Sequence, residues 1–386
     1  MKSLELFSGA GGLAKGLEMA GFDHLAFVEF NRDACQTLRK NFDPSKVFEG
    51  DIRDYDFSKL GPVDMVAGGP PCQPFSLGGK HKASNDLRDM FPYALEAINI
   101  LRPKAFIFEN VKGLLRSSFA EYFEYIILRL EYPDCTDQKC DDWREHLEKL
   151  RAMASCPATP PEYHVQYKLI NAADYGISQT RERVIVVGIR ADLNTSWTFP
   201  KGEHSLERLL WEQYVSGEYW ARHHISKLLD YSHSSHFMRR IERIRQRYGL
   251  IPPSGKPWVT MRDVLGHLPD PISDHGISDH EFRDGARSYP GHTGSMYDLP
   301  SKTIKAGGHG VPGGENMIRF SDDSIRYLTV HEAKLIQGFP KDFAIHGAWG
   351  EAMRQIGNAV PALIGNTIGQ SLWALIQDEK LLNCAA

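Results

Sequence analysis

The sequence predicts an α/β fold: a doubly wound, mostly parallel, Rossmann-like sheet with a smaller irregular domain. Three observations predict it. Short apolar runs alternate with helical stretches through residues 1–190, the pattern of βαβ units whose sheet is covered on both faces. The first run leads into a glycine-rich turn, Ser8-Gly9-Ala10-Gly11-Gly12, and an acid, Glu29, follows about 20 positions on, at the end of the second run. After Arg190 the alternation stops, and 10 of the 16 histidines fall within 191–325.

In chain order, Leu4 to Phe7 reads as a strand, Leu13 to Ala20 as a helix stopped by Gly21, and Leu25 to Val28 as a second strand. Val47-Phe48 precedes Gly50-Asp51-Ile52, and Val63 to Ala67 is a buried strand. Leu87 to Leu101 is a helix, Ala105 to Phe108 a strand ending in Glu109-Asn110-Val111, and Phe119 to Leu130 a helix. Tyr167 to Asn171 and Val184 to Ile189 are later strands. Residues 132–162, acidic and bearing Cys135, Cys140 and Cys156, interrupt this pattern. They read as a surface insertion, because their cysteines lack the Cys-x-x-Cys spacing of a zinc site; no metal is expected. In the second domain Phe237, Ile241, Ile244 and Tyr248 fall at helical spacing, with Arg239, Arg243 and Arg247 on another face. Residues 326–340 are regular again, and Ala362 to Ile376 is an apolar helix expected to pack back on the first domain. The expected division is 1–190 plus 345–386 for the first domain and 191–344 for the second, with 326–340 at its base.

Composition narrows the classes. Hydrophobic content of 42% and charged content of 24% are those of an ordinary globular protein. No run of about 18 apolar residues predicts a membrane span, and the first residues lack a signal-peptide apolar core. Six cysteines over 386 residues do not make a disulfide framework, so a reducing, cytoplasmic setting is expected. A net charge of −4 excludes a uniformly basic nucleic-acid binder and leaves room for local basic faces.

The chemistry concentrates in Gly68-Gly69-Pro70-Pro71-Cys72-Gln73-Pro74-Phe75-Ser76. Two prolines fix the backbone just before one cysteine, at the end of an apolar strand. A thiol mounted so stiffly at the carboxyl edge of a sheet, where ligands of open α/β sheets bind, reads as a nucleophile. Glu109 ends another strand, and Gln179-Thr180-Arg181-Glu182-Arg183 precedes a third.

Taken together, these motifs closely resemble the DNA cytosine-5 methyltransferases. The likeness rests on Phe7-Ser8-Gly9-Ala10-Gly11-Gly12, Pro70-Pro71-Cys72-Gln73-Pro74, Glu109-Asn110-Val111, Gln179-Thr180-Arg181-Glu182-Arg183, Arg326-Tyr327-Leu328-Thr329 with Gln337-Gly338-Phe339-Pro340, and Gly357-Asn358-Ala359-Val360-Pro361, all in the family's order. It spans 1–190 and 326–386. The resemblance implies that S-adenosylmethionine is the methyl donor and that double-stranded DNA is the partner, its target cytosine rotated out of the helix. It assigns catalysis to Cys72, which adds to C6 of cytosine, to Glu109 at N3, to Arg183 at O2, and to Arg181 as support for the loop or a phosphate. The donor would meet Phe7, Gly9, Ala10, Gly11, Gly12, Glu29, Phe30, Asp51, Ile52, Pro71, Asn358 and Ala359.

DNA contacts are expected from Gln73, Ser76, Lys80 and Arg88 in a lid following the cysteine, and from Arg239, Arg243, Arg262, Lys302 and Lys305 in a target-recognition domain. A monomeric bacterial modification enzyme is implied, either partnered by a restriction endonuclease or without one. Two rivals share part of the pattern. A NAD-dependent oxidoreductase would use the glycine turn and Glu29 but has no use for Pro71-Cys72. The tRNA-methylating branch of the same family shares the catalytic motifs, and the length of 191–325 favours DNA.

Overall fold

The computed structural model describes residues 1–71, 90–136, 142–225, 235–306 and 316–384, with side chains described to residue 377. Contacts divide the chain into two units: Met1–Ile170, Glu182–Pro200 and Ile364–Ala386 form the first, Asn171–Arg181 and Lys201–Leu363 the second. The expected division therefore shifts. Residues 345–363 and 171–181 join the second unit, and 191–200 stay with the first. The physical reason is packing: Met353 and Ile356 lie in the second unit's core, whereas Trp197 donates its Nε1 hydrogen to Ser371 within the first.

The first unit is built on a seven-stranded sheet of β1 (Lys2–Leu6), β2 (Asp23–Glu29), β3 (Val47–Glu49), β4 (Met65–Gly68), β5 (Ala105–Val111), β6 (Tyr163–Asn171) and β7 (Glu182–Arg190), in the order β3-β2-β1-β4-β5-β7-β6. Strands β1 to β5 pair in parallel, and β7 runs antiparallel to β5. All four residues of β4 and the first six of β5 are buried, as expected of strands covered on both faces. The helices that cover them are α1 (Gly12–Met19), α2 (Arg32–Asn41), α3 (Phe91–Leu101), α4 (Ala120–Glu131) and α5 (Trp143–Ala154). Leu4, Leu6, Val66, Phe106 and Phe108 from the sheet share one core with Leu95 and Ile98 of α3 and Phe123 and Ile126 of α4. Each such side chain contributes about 1.5–3 kcal/mol by leaving water. Gly68 has no room to grow: a Cβ there would lie 2.4 Å from the Leu6 carbonyl oxygen of the neighbouring strand. Gly68→Ala is expected to cost about 1–3 kcal/mol through a forced backbone shift; an unchanged denaturation midpoint would refute this tight approach.

Among its described residues the segment 132–162 is more than a surface insertion. It contains α5, capped by Asp142, whose side chain accepts from the Arg144 and Glu145 amides. His146, Leu147 and Leu150 are buried, the two leucines in the main core, and the Tyr125 hydroxyl lies 3.0 Å from His146 Nδ1. The spacing of Trp143, Leu147, Leu150 and Met153 carried this helix signal, and the acidic surroundings masked it.

The helix Ala362–Cys384 packs on the first unit from Ile364 onward, as its apolar sequence predicts. Gly365 and Gly369 allow the approach to α1, and Trp373 meets Phe22 edge-on at 5.3 Å. Among the described residues the stretch Trp349–Gln377 is long and apolar enough to cross a membrane, but 56% of its apolar window is buried within the protein.

The second unit is irregular, with a three-stranded sheet of Ser295–Met296, Met317–Arg319 and Ile325–Tyr327 and a two-stranded one of His204–Ser205 and Lys256–Pro257. Capping boxes at Thr260/Asp263 and Thr329/Glu332 start the helices Met261–Leu265 and Val330–Ile336. Residues 171–181 are woven into this unit. The Gln179 side chain donates to Gln337 Oε1 and accepts from the Ile304 amide, the Thr180 amide donates to the Ser301 carbonyl, and Trp258 donates to Asp174. The predicted helix bearing the arginines is Ser235–Tyr248; Ile241 and Ile244 are buried, with Phe237 and Tyr248 packed beside Leu210 and Trp211.

Candidate active site

In the first unit the sheet order reverses direction at β1 and β4, and the crevice beyond their carboxyl ends is where an open α/β sheet binds ligands. Every glycine-turn residue sits there. Phe7 has φ 50°, Gly9 φ 53° and Gly11 φ 82°. For Phe7 this left-handed backbone is strained, and such strain clusters at ligand sites. A Cβ on Gly11 would lie 2.9 Å from Leu38 and Phe42, so glycine is required for α1 to start against α2. Among the described residues a Cβ on Gly9 would meet nothing within 4 Å, so its backbone borders space that they leave open.

Glu29 ends β2 facing this turn. Its carboxylate accepts from the Gly9 amide at 2.7 Å and the Asn31 amide at 2.8 Å, which ties the turn to the second strand. Phe30 follows with its ring 75% exposed, an unusual position for a large apolar side chain unless something stacks on it. Cys35 lies behind Glu29 and donates to its carbonyl; burial pushes this thiol up to about 12, which makes it an inert packing residue. Asp51 caps a short turn, and the Arg53 guanidinium hydrogen-bonded to it pulls its carboxyl down to about 2. Ile52 beside it is buried. Ala10 is buried as well, and Gly12 opens α1.

At the end of β4, Pro70 is buried and Pro71 exposed. The Asn110 side chain donates to the Pro70 carbonyl at 3.1 Å, and the Met90 amide to the Pro71 carbonyl at 3.4 Å. Both carbonyls ahead of position 72 are thus held. Cys72, Gln73, Ser76, Lys80 and Arg88 lie outside the described residues. The role of Asn110 is one that sequence reasoning missed, although its motif stands beside Glu109.

Glu109 and Arg183 come together. Val111 of β5 pairs with Arg183 of β7 in the antiparallel register, so Glu109 sits two residues away on the same face. Arg183 Nε approaches Glu109 Oε1 at 2.7 Å, a charge contact in which the N–H is not aligned as a hydrogen bond. The guanidinium also donates to the Glu182 carbonyl, and Lys112 pairs with the Glu182 carboxylate. Glu109 is 9% exposed, and a Cβ on Gly69 would lie 3.3 Å from its Oε2. A side chain at Gly69 would therefore crowd the Glu109 carboxyl.

Arg181 is not part of this pair. It belongs to the second unit, is 1% exposed, and donates to the carbonyls of Gly357 at 2.7 Å and Ile304 at 3.4 Å. Such burial fits the expected loop support and leaves no surface for a phosphate. In the same unit Asn358 is exposed and Ala359 buried, the latter's carbonyl accepting from Gln337.

The expected DNA-contacting cations divide. Arg239 and Arg243 are exposed on their helix. Lys302 and Lys305 are exposed, the former donating to Thr293. Arg262 differs from these: it forms a two-pronged pair with Asp298 and lies over the Tyr297 ring inside the unit. Among the described residues no group of three or more His, Cys, Asp or Glu is placed to hold a metal ion.

The family model described as C-5 cytosine-specific DNA methylase matches residues 1–133 and 149–374. The gap between them falls on the start of α5. A type II methyltransferase of Neisseria gonorrhoeae, M.NgoMIV, is 30% identical over 98% of this chain and 99% of its own. M.Sau96I of Staphylococcus aureus is 30% identical over 95% of this chain and 74% of its own, and M.AquIA of Picosynechococcus is 36% identical over 71% and 98%. Among solved structures, the Dnmt2 methyltransferase of Schizosaccharomyces pombe superposes with a TM-score of 0.54 at 16% identity, covering 98% of this chain and 99% of its own, which speaks for the fold. Matched by the family model over most of its length, the chain belongs to the C-5 cytosine-specific DNA methylases and acts on DNA as a methyltransferase.

Proposed function

We propose that the protein methylates C5 of a cytosine within a specific duplex sequence, with S-adenosylmethionine as donor and a transient bond from Cys72 to C6 of a base turned out of the helix. The Glu109–Arg183 contact carries this reading. N3 and O2 are neighbouring atoms on one edge of cytosine, and a carboxyl and a guanidinium side by side can engage both.

The first unit's residues fit the donor. Gly9 borders space that the described residues leave open, Glu29 offers carboxylate oxygens to ribose hydroxyls, and the exposed Phe30 ring can stack on an adenine. Ala10, Gly11, Gly12, Phe7, Asp51, Ile52 and Pro71 complete that cradle. When bound, the donor supplies an electrophilic methyl group for C5.

The protein's own groups do the rest. The Cys72 thiolate adds to C6, placing electron density on C5, and this divides one hard substitution into easier steps. Glu109 shares a proton with N3 as charge builds on the ring, while Arg183 holds O2. Loss of the C5 proton then expels the thiolate and frees the product. Glu109→Gln is expected to lower kcat by about 10²–10⁴ while donor affinity stays within about twofold; near-normal turnover would remove Glu109 from the mechanism.

The reading places the enzyme in the bacterial cytoplasm as a monomer that modifies the host's own DNA, with or without a restriction endonuclease of matching specificity. Bisulfite sequencing of DNA from expressing cells would give the modified sequence, and tritiated donor with duplex DNA or tRNA would test the substrate. Label in tRNA alone, or in neither, would overturn it.

A further inference from the structure

The helix Ser235–Tyr248 carries five arginines and one glutamate. Arg239, Arg243, Arg245 and Arg247 are exposed, and Glu242 is engaged by Arg245 and Gln246. The face opposite Arg239, Arg243 and Arg247 is buried through Ile241 and Ile244, and Arg245 lies beside it, donating to the Tyr214 carbonyl. At the end of the helix, Leu250 is 90% exposed and Ile251 77%, among the most exposed large apolar side chains described. They do not sit on a loose loop. Gly249, at φ 51°, turns the chain, and its carbonyl accepts from Trp211 Nε1 at 2.9 Å. Its amide donates to the Arg245 carbonyl and the Ile251 amide to the Tyr248 carbonyl. Pro252 and Pro253 follow, and the Pro253 carbonyl accepts from Arg208. A fixed turn thus holds two aliphatic side chains in water beside a row of guanidinium groups.

We propose that this element is a DNA clamp: the arginines straddle phosphates of the duplex, and Leu250 with Ile251 enters the groove between them as an apolar wedge. Resting on the reading that duplex DNA is the substrate, it adds an interaction whose role is to seat or bend the helix. Apolar wedges beside basic side chains insert at base steps and repay the lost stacking with new contacts. The alternative occupant, a second copy of this chain, would oppose one arginine row with another across an isologous contact, which like charges disfavour.

The two halves of the element have different salt signatures. Replacing Arg239, Arg243 and Arg247 by Gln should reduce the slope of log affinity against log salt by roughly one for each phosphate no longer neutralised, on a short duplex of mixed sequence. Leu250→Ser with Ile251→Ser should weaken binding about tenfold with an unaltered slope, because no ion is released by an aliphatic contact. A photoreactive residue at 250 in the otherwise intact chain should cross-link to DNA. Cross-links to a second copy, no cross-link, or a tip variant that binds like the parent would overturn the wedge. A parent protein that binds and methylates no duplex would overturn the functional reading instead.

Discussion

Cys72→Ser is expected to abolish methyl transfer, by more than about a thousandfold, while leaving donor binding within about twofold of the parent. An alcohol at neutral pH is almost wholly un-ionised, so it cannot add to C6, whereas the cradle around Gly9, Glu29 and Phe30 is untouched. The contrast with Cys35 sharpens the expectation: that thiol is buried and pushed up to about 12, and Cys35→Ala should leave turnover unchanged. The direct measurement is a duplex with fluorine at C5 of the target, which blocks release of the adduct. The parent should form a complex stable to denaturant and the serine variant none. A serine variant that turns over at more than a few per cent would end the covalent account.

Arg181→Ala should have the largest effect on stability. The substitution empties a large buried site and leaves the Gly357 and Ile304 carbonyls without their donor, which together cost about 3–5 kcal/mol. Gly357 cannot compensate by moving, since its backbone already lies against Lys305 and Ala306. Arg181→Lys should recover part of the loss, because one ammonium reaches one carbonyl where the fork reaches two. Denaturation followed by tryptophan fluorescence would show the shift, and a midpoint equal to the parent's would mean that Arg181 is a replaceable filler.

Strands β1, β4, β5 and β7 were legible because they are largely buried on both faces and read as continuous apolar runs between helical stretches. Glu29, Glu109 and Arg183 were legible because strand ends place functional groups at one rim. Three things were not. The packing of 143–154 was hidden by charged residues on its outer face, although Leu147 and Leu150 carry the pattern. The pairing of Arg262 with Asp298 depends on residues 36 apart that no local rule connects. The assignment of 171–181 to the second unit arises from side chains such as Gln179, whose partners lie beyond residue 300.

That last arrangement bears on how the second unit could be exchanged among relatives. A chimaera that transplants only 201–363 would leave behind the strip ending in Arg181 and force a foreign Gln179, Thr180 and Asp174 to meet it. The graft should travel as two inserts, 171–181 together with 201–363, so that the recipient receives the whole second unit with the contacts of Gln179 and Asp174 intact.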